Sequence, residues 1–300
     1  MQLQFDVNTD EINQSSQHKL FVEGKNDATE FDAIIIKELL ANNHLNIDVR
    51  TMGGCDNVRS AAEALIREHP SYYFLIDRDD REQITVDKSW ANFPNINTYN
   101  MLIWHKTELE NYFIDPDYLE KSAYLKTNPR FEIRKRILNV CQQRLFLDAA
   151  NLTLYRLNRE LQKPLNTPHF KIKEHFANKD AGIEQLTQCF ETINVRKIEI
   201  SDVLQENKIK EIYSDFVDEL SGGLPKLQYG SGTWLYRMSS GKEIFHTIAN
   251  DCFQVKNANN ILLTGEEQHI EIAKQLVRLP LEQQPLDFQE LVRLLKNRIS

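Results

Sequence analysis

The stretch HKLFVEGKNDATEF, residues 18–31, decides how the first part of the chain folds. Its apolar run at 20–22 is typical of a buried strand, and this run ends on Glu23 followed by Gly24. Glycine allows the backbone to turn sharply, and an ordinary surface turn would explain its presence. A surface turn does not require the carboxylate, so the stretch raises the question of what Glu23 does there.

The first 115 residues alternate between strand and helix patterns. The apolar spacing predicts strands at 18–24, 46–52, 72–77 and 100–104, and helices at 27–41, 56–69 and 106–114. The polar stretch at 78–99 is expected to be a loop. Near-continuous apolar strands that alternate with helices indicate an α/β fold with a parallel sheet.

After Pro116 the pattern becomes helical, with many Gln, Lys and Arg residues. We therefore expect two domains, an α/β domain at 1–118 and a mainly α-helical domain at 119–300. The second of these carries a basic segment at 121–175 and a Gly-containing loop near 221–242.

The net charge of −8 argues against a simple nucleic-acid coat protein. The charge is uneven, because residues 121–175 carry 12 Lys and Arg against 4 Asp and Glu, whereas residues 1–120 carry 10 against 22. This division suits a cation site beside a surface for a polyanion, although solvated helix faces of uneven charge would give the same counts. Five basic residues are expected to contact a nucleic-acid backbone: Arg130, Arg134, Lys135, Arg136 and Arg144.

Several other classes of protein do not fit the sequence. The apolar runs are too short to span a membrane, and the N-terminal stretch MQLQFDVNTDEINQSS lacks the features of a secretory signal. The four cysteines form no CxxC pair, so we expect reduced thiols and a cytoplasmic protein. The glycines at 230–232 lack the spacing of a P-loop, which argues against binding of a nucleoside triphosphate.

Acidic residues follow three of the four predicted strands. Glu23 ends the first strand, Asp77 and Asp79 end the third, and Glu108 and Glu110 follow the fourth. Ligands of parallel α/β sheets gather at this edge, where so many carboxylates would repel one another unless a cation neutralised them. Carboxylate oxygens are ligands that Mg²⁺ prefers, so the sequence predicts a site for Mg²⁺ or Mn²⁺.

The order of these motifs resembles that of a known family. VEGKND at 22–27 followed by LIDRDD at 75–80 is similar to the Toprim domain of topoisomerases, primases and OLD nucleases, as is the glycine turn at 53–54. HKTELENYFI at 105–114 and SGKEIF at 240–245 resemble the DUF4435 branch, which is close to the OLD nucleases and to the AriB-type Toprim effectors of PARIS anti-phage systems. The Toprim resemblance covers roughly residues 18–115.

The resemblance implies roles for individual residues. Glu23 would be a metal ligand or a general base, and Lys106 or His105 would contact the phosphate or stabilise the leaving group. Asp80 extends the acidic run, which leaves open which two of the three aspartates bind metal, and Asp27 is expected to cap the following helix. The implied metal ligands are Glu23, Asp77, Asp79 and Glu110.

The resemblance also implies a function. It predicts a metal-dependent endonuclease that cuts RNA, with tRNA favoured, and so stops translation in an infected cell. An ABC-type ATPase partner, AriA-like, would hold the nuclease inactive until it is triggered, and the active form would be a homodimer. Two alternatives stay open: a DNA nuclease of the OLD type, and a Toprim module without enzymatic activity that binds a partner protein.

Overall fold

A computed structural model describes residues 18–65, 68–95, 100–126, 130–162 and 179–299. Four parallel strands form one sheet in the order β2-β1-β3-β4. The strands are β1 (Lys19–Val22), β2 (Asp48–Thr51), β3 (Tyr72–Ile76) and β4 (Met101–Ile103). The predicted α/β fold with a parallel sheet is confirmed. Because the chain crosses from β2 over β1 to β3, the direction of winding reverses between β1 and β3, where such sheets open a crevice.

Helices cover both faces of the sheet. They are α1 (Phe31–Asn42), α2 (Cys55–Leu65) and α3 (Gln83–Asn92). In β1, Leu20 and Val22 point into the core shared with α1, whereas Phe21 points into the core shared with α2 and α3. This alternation follows from the two-residue period of a strand, and burial on both faces explains why the strands are nearly continuous in apolar residues.

The expectation of a loop throughout 78–99 is wrong, because α3 lies within it. Two apolar residues, four positions apart, form the packing face of this helix. Val86 is fully buried, and the indole Nε1 of Trp90 donates a hydrogen bond to the carbonyl oxygen of Ile103 at 2.8 Å. Tertiary packing against β4 therefore supports a helix whose own pattern is too sparse to reveal it.

The rest of the described chain is helical. A 3₁₀ turn at Leu109–Ile114 leads into α4 (Pro116–Leu119) and a long α5 (Arg130–Gln162). The remaining helices are α6 (Lys179–Val203), α7 (Glu206–Ser221), α8 (Trp234–Arg237), α9 (Gly241–Cys252), α10 (Gly265–Val277), a 3₁₀ turn at Leu281–Gln283 and α11 (Leu286–Ile299). Among the described residues, no helix has the length and apolar character that a membrane crossing needs.

Aromatic side chains join the sheet to the later helices. The ring of Phe31 on α1 lies 5.7 Å from that of Phe113 and 6.1 Å from that of Phe245 on α9. Phe288 on α11 packs 6.1 Å from Phe113 in the same core. The division of the chain at residue 118 stays a prediction, and helices from both sides of that point bury this core together.

Candidate active site

The turn after β1 fixes the position of Glu23. Gly24 has a φ of +126°, which favours glycine, and it exchanges two backbone hydrogen bonds with Gly53 at 2.8 and 2.7 Å. A Cβ atom at Gly24 would lie 2.5 Å from Cγ of Glu30. The turns after β1 and β2 are therefore tied together, and Glu23 is held at the carboxyl edge of the sheet.

Glu23 lies beside the residue that ends the neighbouring strand. Its Oε1 accepts a hydrogen bond from the backbone N–H of Asp77 at 3.1 Å. Burial is the main cause that raises the pKa of Glu23 to about 7; the charge of Asp79 contributes to this rise, and that hydrogen bond opposes it. A carboxyl group with a pKa near neutrality can hold or release a proton under physiological conditions.

Asp77 is the centre of a group of carboxylates. Its Oδ1 is buried and has no hydrogen-bond partner among the described residues. Burial raises the pKa of Asp77 well above its usual range, and the charges of neighbouring acids raise it further. Those neighbours are Asp32, Glu23, Glu110 and Glu108. We call these five residues the acidic cluster.

Asp32 belongs to this cluster but does not follow from the strand-end pattern. It lies in the first turn of α1, and burial together with the charges of Glu110 and Glu23 raises its pKa well above the usual range. The helix that follows β1 begins at the carboxyl edge of the sheet, so its first turn faces the same crevice. An acid in the otherwise apolar start FDAIII, at 31–36, is the signal that could have revealed it.

Glu108 and Glu110, which belong to the acidic cluster, lie in the segment after β4. Oε2 of Glu108 accepts the backbone N–H of Lys242 at 3.0 Å, and burial raises the pKa of Glu108 to about 8. Burial also raises the pKa of Glu110, and the charge of Lys242 opposes this rise. A Cβ at Gly241 would lie 2.4 Å from Oδ1 of Asn111. Glycine there lets α9 approach closely, which brings the 240–245 motif to the cluster.

The three aspartates after β3 have different partners. Asp79 has a φ of +50° and pairs with Nη1 of Arg81 at 2.8 Å, whereas Asp80 pairs with Nη1 of Arg159 on α5 at 3.1 Å. Asp77 pairs with neither arginine side chain through its carboxylate and belongs to the acidic cluster. The geometry therefore favours Asp77 as a ligand, leaves Asp79 available once Arg81 releases it, and gives Asp80 a role in holding α5.

The expectation that Asp27 caps the following helix is wrong. Helix α1 begins at Phe31, with Glu30 at its N-cap. The carboxylate of Asp27 instead accepts a hydrogen bond from Oγ1 of Thr51 at 2.7 Å and pairs with Arg50 at 3.2 Å. It therefore secures the loop after β1 to the end of β2.

His105 and Lys106 do not join the carboxylates. Both line a separate cavity of about 540 Å³. Nζ of Lys106 donates to the carbonyl oxygen of Asn111 at 3.1 Å, while Nδ1 of His105 lies 3.0 Å from Oδ1 of Asp287. The ring of His105 also stacks on Trp90, with 4.9 Å between centroids. Their predicted contact with a scissile phosphate stays a prediction that this arrangement does not favour.

A cleft of about 500 Å³ opens beside Asp79. Three guanidinium groups line it, from Arg59, Arg81 and Arg159, together with the exposed ring of Tyr155. Each arginine pairs with an acid of the same wall, at Asp56, Asp79 and Asp80 respectively. Arginine pairs well with phosphate oxygens, and an exposed aromatic ring can stack on a base. A nucleic-acid backbone in this cleft would exchange its phosphates for those carboxylates as partners of the arginines. None of the four residues was predicted from the sequence.

The five basic residues predicted to bind nucleic acid lie in the first half of α5. Three of them have acidic partners, since Arg134 pairs with Glu120 and Asp117, Arg136 with Asp251, and Arg144 with Asp148. Lys135 is exposed, and the side chain of Arg130 lies outside the described residues. At about 1.5 Å per residue, Lys135 is roughly 35 Å along the helix from the cleft-lining Asn158.

The acidic cluster suits a hard divalent cation. Its donors are carboxylate oxygens, and the buried Oδ1 of Asp77 lacks the partner that a cation would supply. Within the described part of the chain, no three acidic, His or Cys side chains converge as a ready-made metal cage. Mg²⁺ commonly keeps several waters and uses one or two carboxylates with substrate phosphates, so the donor set fits.

No family model matches the chain, and no curated protein matches it at a significant level.

Proposed function

We propose that the chain is a metal-dependent nuclease with a Toprim-type catalytic site. The observation that carries this proposal is the buried, unpartnered Oδ1 of Asp77 among four further carboxylates. A cluster of this kind costs folding free energy unless a cation compensates it, and such costs are typical of functional sites. The neighbouring arginine-lined cleft supplies a place for the phosphates of a nucleic acid.

Glu23, Asp77 and Glu110 would hold Mg²⁺ or Mn²⁺, with Asp79 as a further ligand. Among the described residues these carboxylates do not converge on one point, so the ion would have to draw them together. The bound ion would stabilise the negative charge that develops on the phosphoryl oxygens during cleavage. Arg81 holds Asp79 at 2.8 Å and donates a second hydrogen bond to the Sγ of Cys55 at 2.7 Å. Arg81 would therefore have to release Asp79 before that carboxylate could bind the ion.

Glu23 would act as a ligand or as the general base. Its Oε1 is fixed by the N–H of Asp77, which orients the carboxyl group, and its pKa of about 7 lets it accept a proton at neutral pH. Lys242, whose backbone is anchored to Glu108, places a positive charge near Glu110. That charge can approach a phosphate oxygen at the same edge of the sheet.

The more specific proposal is an RNA-cleaving effector of an anti-phage system, with tRNA as the favoured substrate. The order of the motifs at 22–27, 75–80, 105–114 and 240–245 supports it. On this proposal, an ABC-type ATPase partner restrains the nuclease in the cytoplasm, and release yields an active homodimer.

Incubation of the purified protein with Mg²⁺ or Mn²⁺ and either total RNA or supercoiled plasmid tests this function. We expect RNA to be cut, and we expect Glu23→Gln to lower the rate by about 100-fold or more, because it removes a general base or a ligand. The exposed Glu63 on α2 offers a matched control, since Glu63→Gln makes the same chemical change outside the cluster.

The outcomes separate the alternatives. Nicked plasmid beside intact RNA would indicate a DNA nuclease of the OLD type. Full activity in Glu23→Gln would exclude the acidic cluster as the active site. A wild-type protein that binds the metal but cuts neither substrate would favour a module that binds a partner protein.

A further inference from the structure

The cavity that contains Lys106 lies on the other side of the Asp77–Asp79 segment from the arginine-lined cleft. Arg78 lines this cavity, whereas Asp79, one residue later, lines the cleft. The volume of about 540 Å³ is within the range of pockets that bind small molecules. The proposed nuclease function leaves this cavity without a role.

Arg78 brings a buried positive charge to the cavity. It is 4% exposed, and its guanidinium donates to the carbonyl oxygens of Arg81 at 3.0 Å and His105 at 2.8 Å. Among the described residues, no carboxylate lies within ion-pair distance of it. A charge of this kind favours an anion as its partner.

Lys106 adds a second, largely buried cation. Its ammonium group donates to the carbonyl oxygen of Asn111, and its nearest acidic oxygen, on Asp115, is 4.0 Å away. Burial lowers the pKa of Lys106 against the opposing charges of Asp115 and Asp287. Nζ also lies 4.9 Å from the ring centre of Tyr112.

The acids in the wall have other partners. Asp287 accepts hydrogen bonds from His105 and from the hydroxyl group of Tyr112, and Asp117 pairs with Arg134. These partners reduce the repulsion that the carboxylates exert on an anion but do not cancel it, since Asp287 still acts as a negative charge on Lys106. Within the described part of the chain, Arg78 is the cation of this wall that has no ion-pair partner, whereas Lys106 shares Asp115 and Asp287.

Tyrosine side chains make the rest of the cavity suitable for a planar group. Tyr118 and Tyr236 line it together with Tyr112, and Tyr236 is 38% exposed. The side chain of Leu286, 80% exposed, also lines this cavity and adds apolar surface. Aromatic walls beside buried cations are what a nucleobase joined to a phosphate requires.

We infer that this cavity binds a phosphate group attached to a nucleoside, either as a free nucleotide or as the phosphorylated end of a nucleic-acid strand. Arg78 and Lys106 contact the phosphate, and Tyr236 stacks on the base. Because Arg78 joins Asp77 to Asp79 in the chain, a ligand here acts directly on the segment that carries the catalytic aspartates.

Calorimetric titration with AMP, in buffer that contains EDTA and no phosphate, tests the site without any metal or cleavage. We expect one AMP to bind per chain, adenosine to bind at least about tenfold more weakly, and inorganic phosphate to compete. Lys106→Met should weaken AMP by about 10- to 100-fold, the effect of losing one charge-assisted hydrogen bond. Tyr236→Ala, which removes a partly exposed ring, should also weaken it and provides a second variant.

Two controls locate the ligand. Arg159→Gln alters the cleft, and Glu23→Gln alters the acidic cluster, so both should bind AMP as the wild type does. Loss of binding in Arg159→Gln together with unchanged binding in folded Lys106→Met would overturn the proposal, as would the absence of AMP binding at millimolar concentration. Normal AMP binding in a protein that cuts no nucleic acid would leave this site standing while the nuclease function failed.

A comparison of oligonucleotides distinguishes the two sources of the phosphate. A short strand with a 5′-phosphate that binds much more tightly than AMP, and loses this advantage without its phosphate, would identify a strand end. AMP that binds as tightly as the strand would identify a free nucleotide. Both results support a phosphate pocket, and equal binding of phosphorylated and unphosphorylated strands by wild type and Lys106→Met would contradict it.

Discussion

Gly24 is the residue whose backbone places the proposed general base. Its φ of +126° is one that side chains rarely adopt, and a Cβ atom would lie 2.5 Å from Glu30 and 3.0 Å from Thr51. We therefore expect Gly24→Ala to lower the free energy of unfolding by about 1–3 kcal/mol, the usual cost of such backbone strain. Urea denaturation measures this loss, and the cleavage rate should also fall because Glu23 shifts.

Gly54 provides the matched control for this substitution. A Cβ atom at Gly54 meets nothing within 4 Å, so Gly54→Ala should leave both stability and cleavage nearly unchanged. Equal losses in the two variants would show that any alanine in these turns is harmful. In that case the close approach at Gly24 would have no special role.

At the residue scale, the sequence predicted those acids whose place follows from strand order. Glu23 and Asp77 end neighbouring parallel strands, and the structure brings them to a hydrogen bond of 3.1 Å. Asp32 was missed because a first-turn acid is equally suited to the dipole of its own helix. Asp27 was misassigned because its partner, Thr51, lies on another strand, and the spacing within one segment does not reveal such a contact.

At the scale of elements, the directions in which side chains point after a strand were harder to predict than the positions of the strand ends. His105 and Lys106 follow β4, as do Glu108 and Glu110, yet the first two face the cavity and the last two the acidic cluster. Residues 105–108 form a bend that precedes the 3₁₀ turn at Leu109–Ile114, so their side chains follow no regular helical or strand spacing. No hydrophobic period in the sequence predicts where such side chains point.

Helix α5 was predicted, but the part of it that meets the cleft was not. The expected basic residues are concentrated near its start, where Arg134 and Arg136 pair with acids of neighbouring elements. Arg159, near its other end, lines the cleft and pairs with Asp80. A count of charge along the sequence detects the cluster of Lys and Arg but contains no information about which of them lines a cleft.

Replacement of Arg159 tests whether nucleic acid binds in the cleft beside Asp79. We expect Arg159→Gln to weaken RNA binding and to reduce the slope of log K against log salt by about one, because one phosphate contact disappears. Fluorescence anisotropy in Ca²⁺ or EDTA, where cleavage is suppressed, measures this at several salt concentrations.

Lys135→Gln is the matched control, since it removes one exposed positive charge from the same helix at a distance of roughly 35 Å. We expect a smaller effect on the salt slope. If Lys135→Gln reduced the slope and Arg159→Gln did not, nucleic acid would lie along the first half of α5. The prediction from the sequence, that the basic residues near the start of α5 contact a nucleic-acid backbone, would then be confirmed.

At the scale of the whole molecule, hydrophobic patterning was sufficient for the α/β fold and its parallel sheet. Four apolar strands, separated by helices, leave few alternatives to a parallel arrangement. The hydrophobic pattern did not show how the later helices pack against the sheet and its first helix. Phe245 and Phe288 lie more than 200 residues after Phe31 in sequence and share its core, a pairing that depends on shape and not on periodicity.

The acidic cluster makes the stability of the whole metal-free protein depend on pH. The folded-state pKa values of Glu23 and Glu108 are about 7 and about 8, above the ordinary value of 4.5, so the folded state holds protons that the unfolded chain has released. Their contribution to stability is therefore present below pH 4.5 and is lost as pH rises through 7 to 8. We expect the melting temperature in EDTA to fall between pH 5.5 and 8.5.

A divalent cation should reverse this trend, because it binds the deprotonated carboxylates of the folded state. The increase in melting temperature on addition of Mg²⁺ or Mn²⁺ should be larger at pH 8 than at pH 6, where protons compete for the same oxygens. In Asp77→Asn both the pH dependence and the metal response should shrink, since one buried charge is removed from the centre of the cluster. A metal response of equal size at both pH values, or one retained in full by Asp77→Asn, would place the cation outside the acidic cluster.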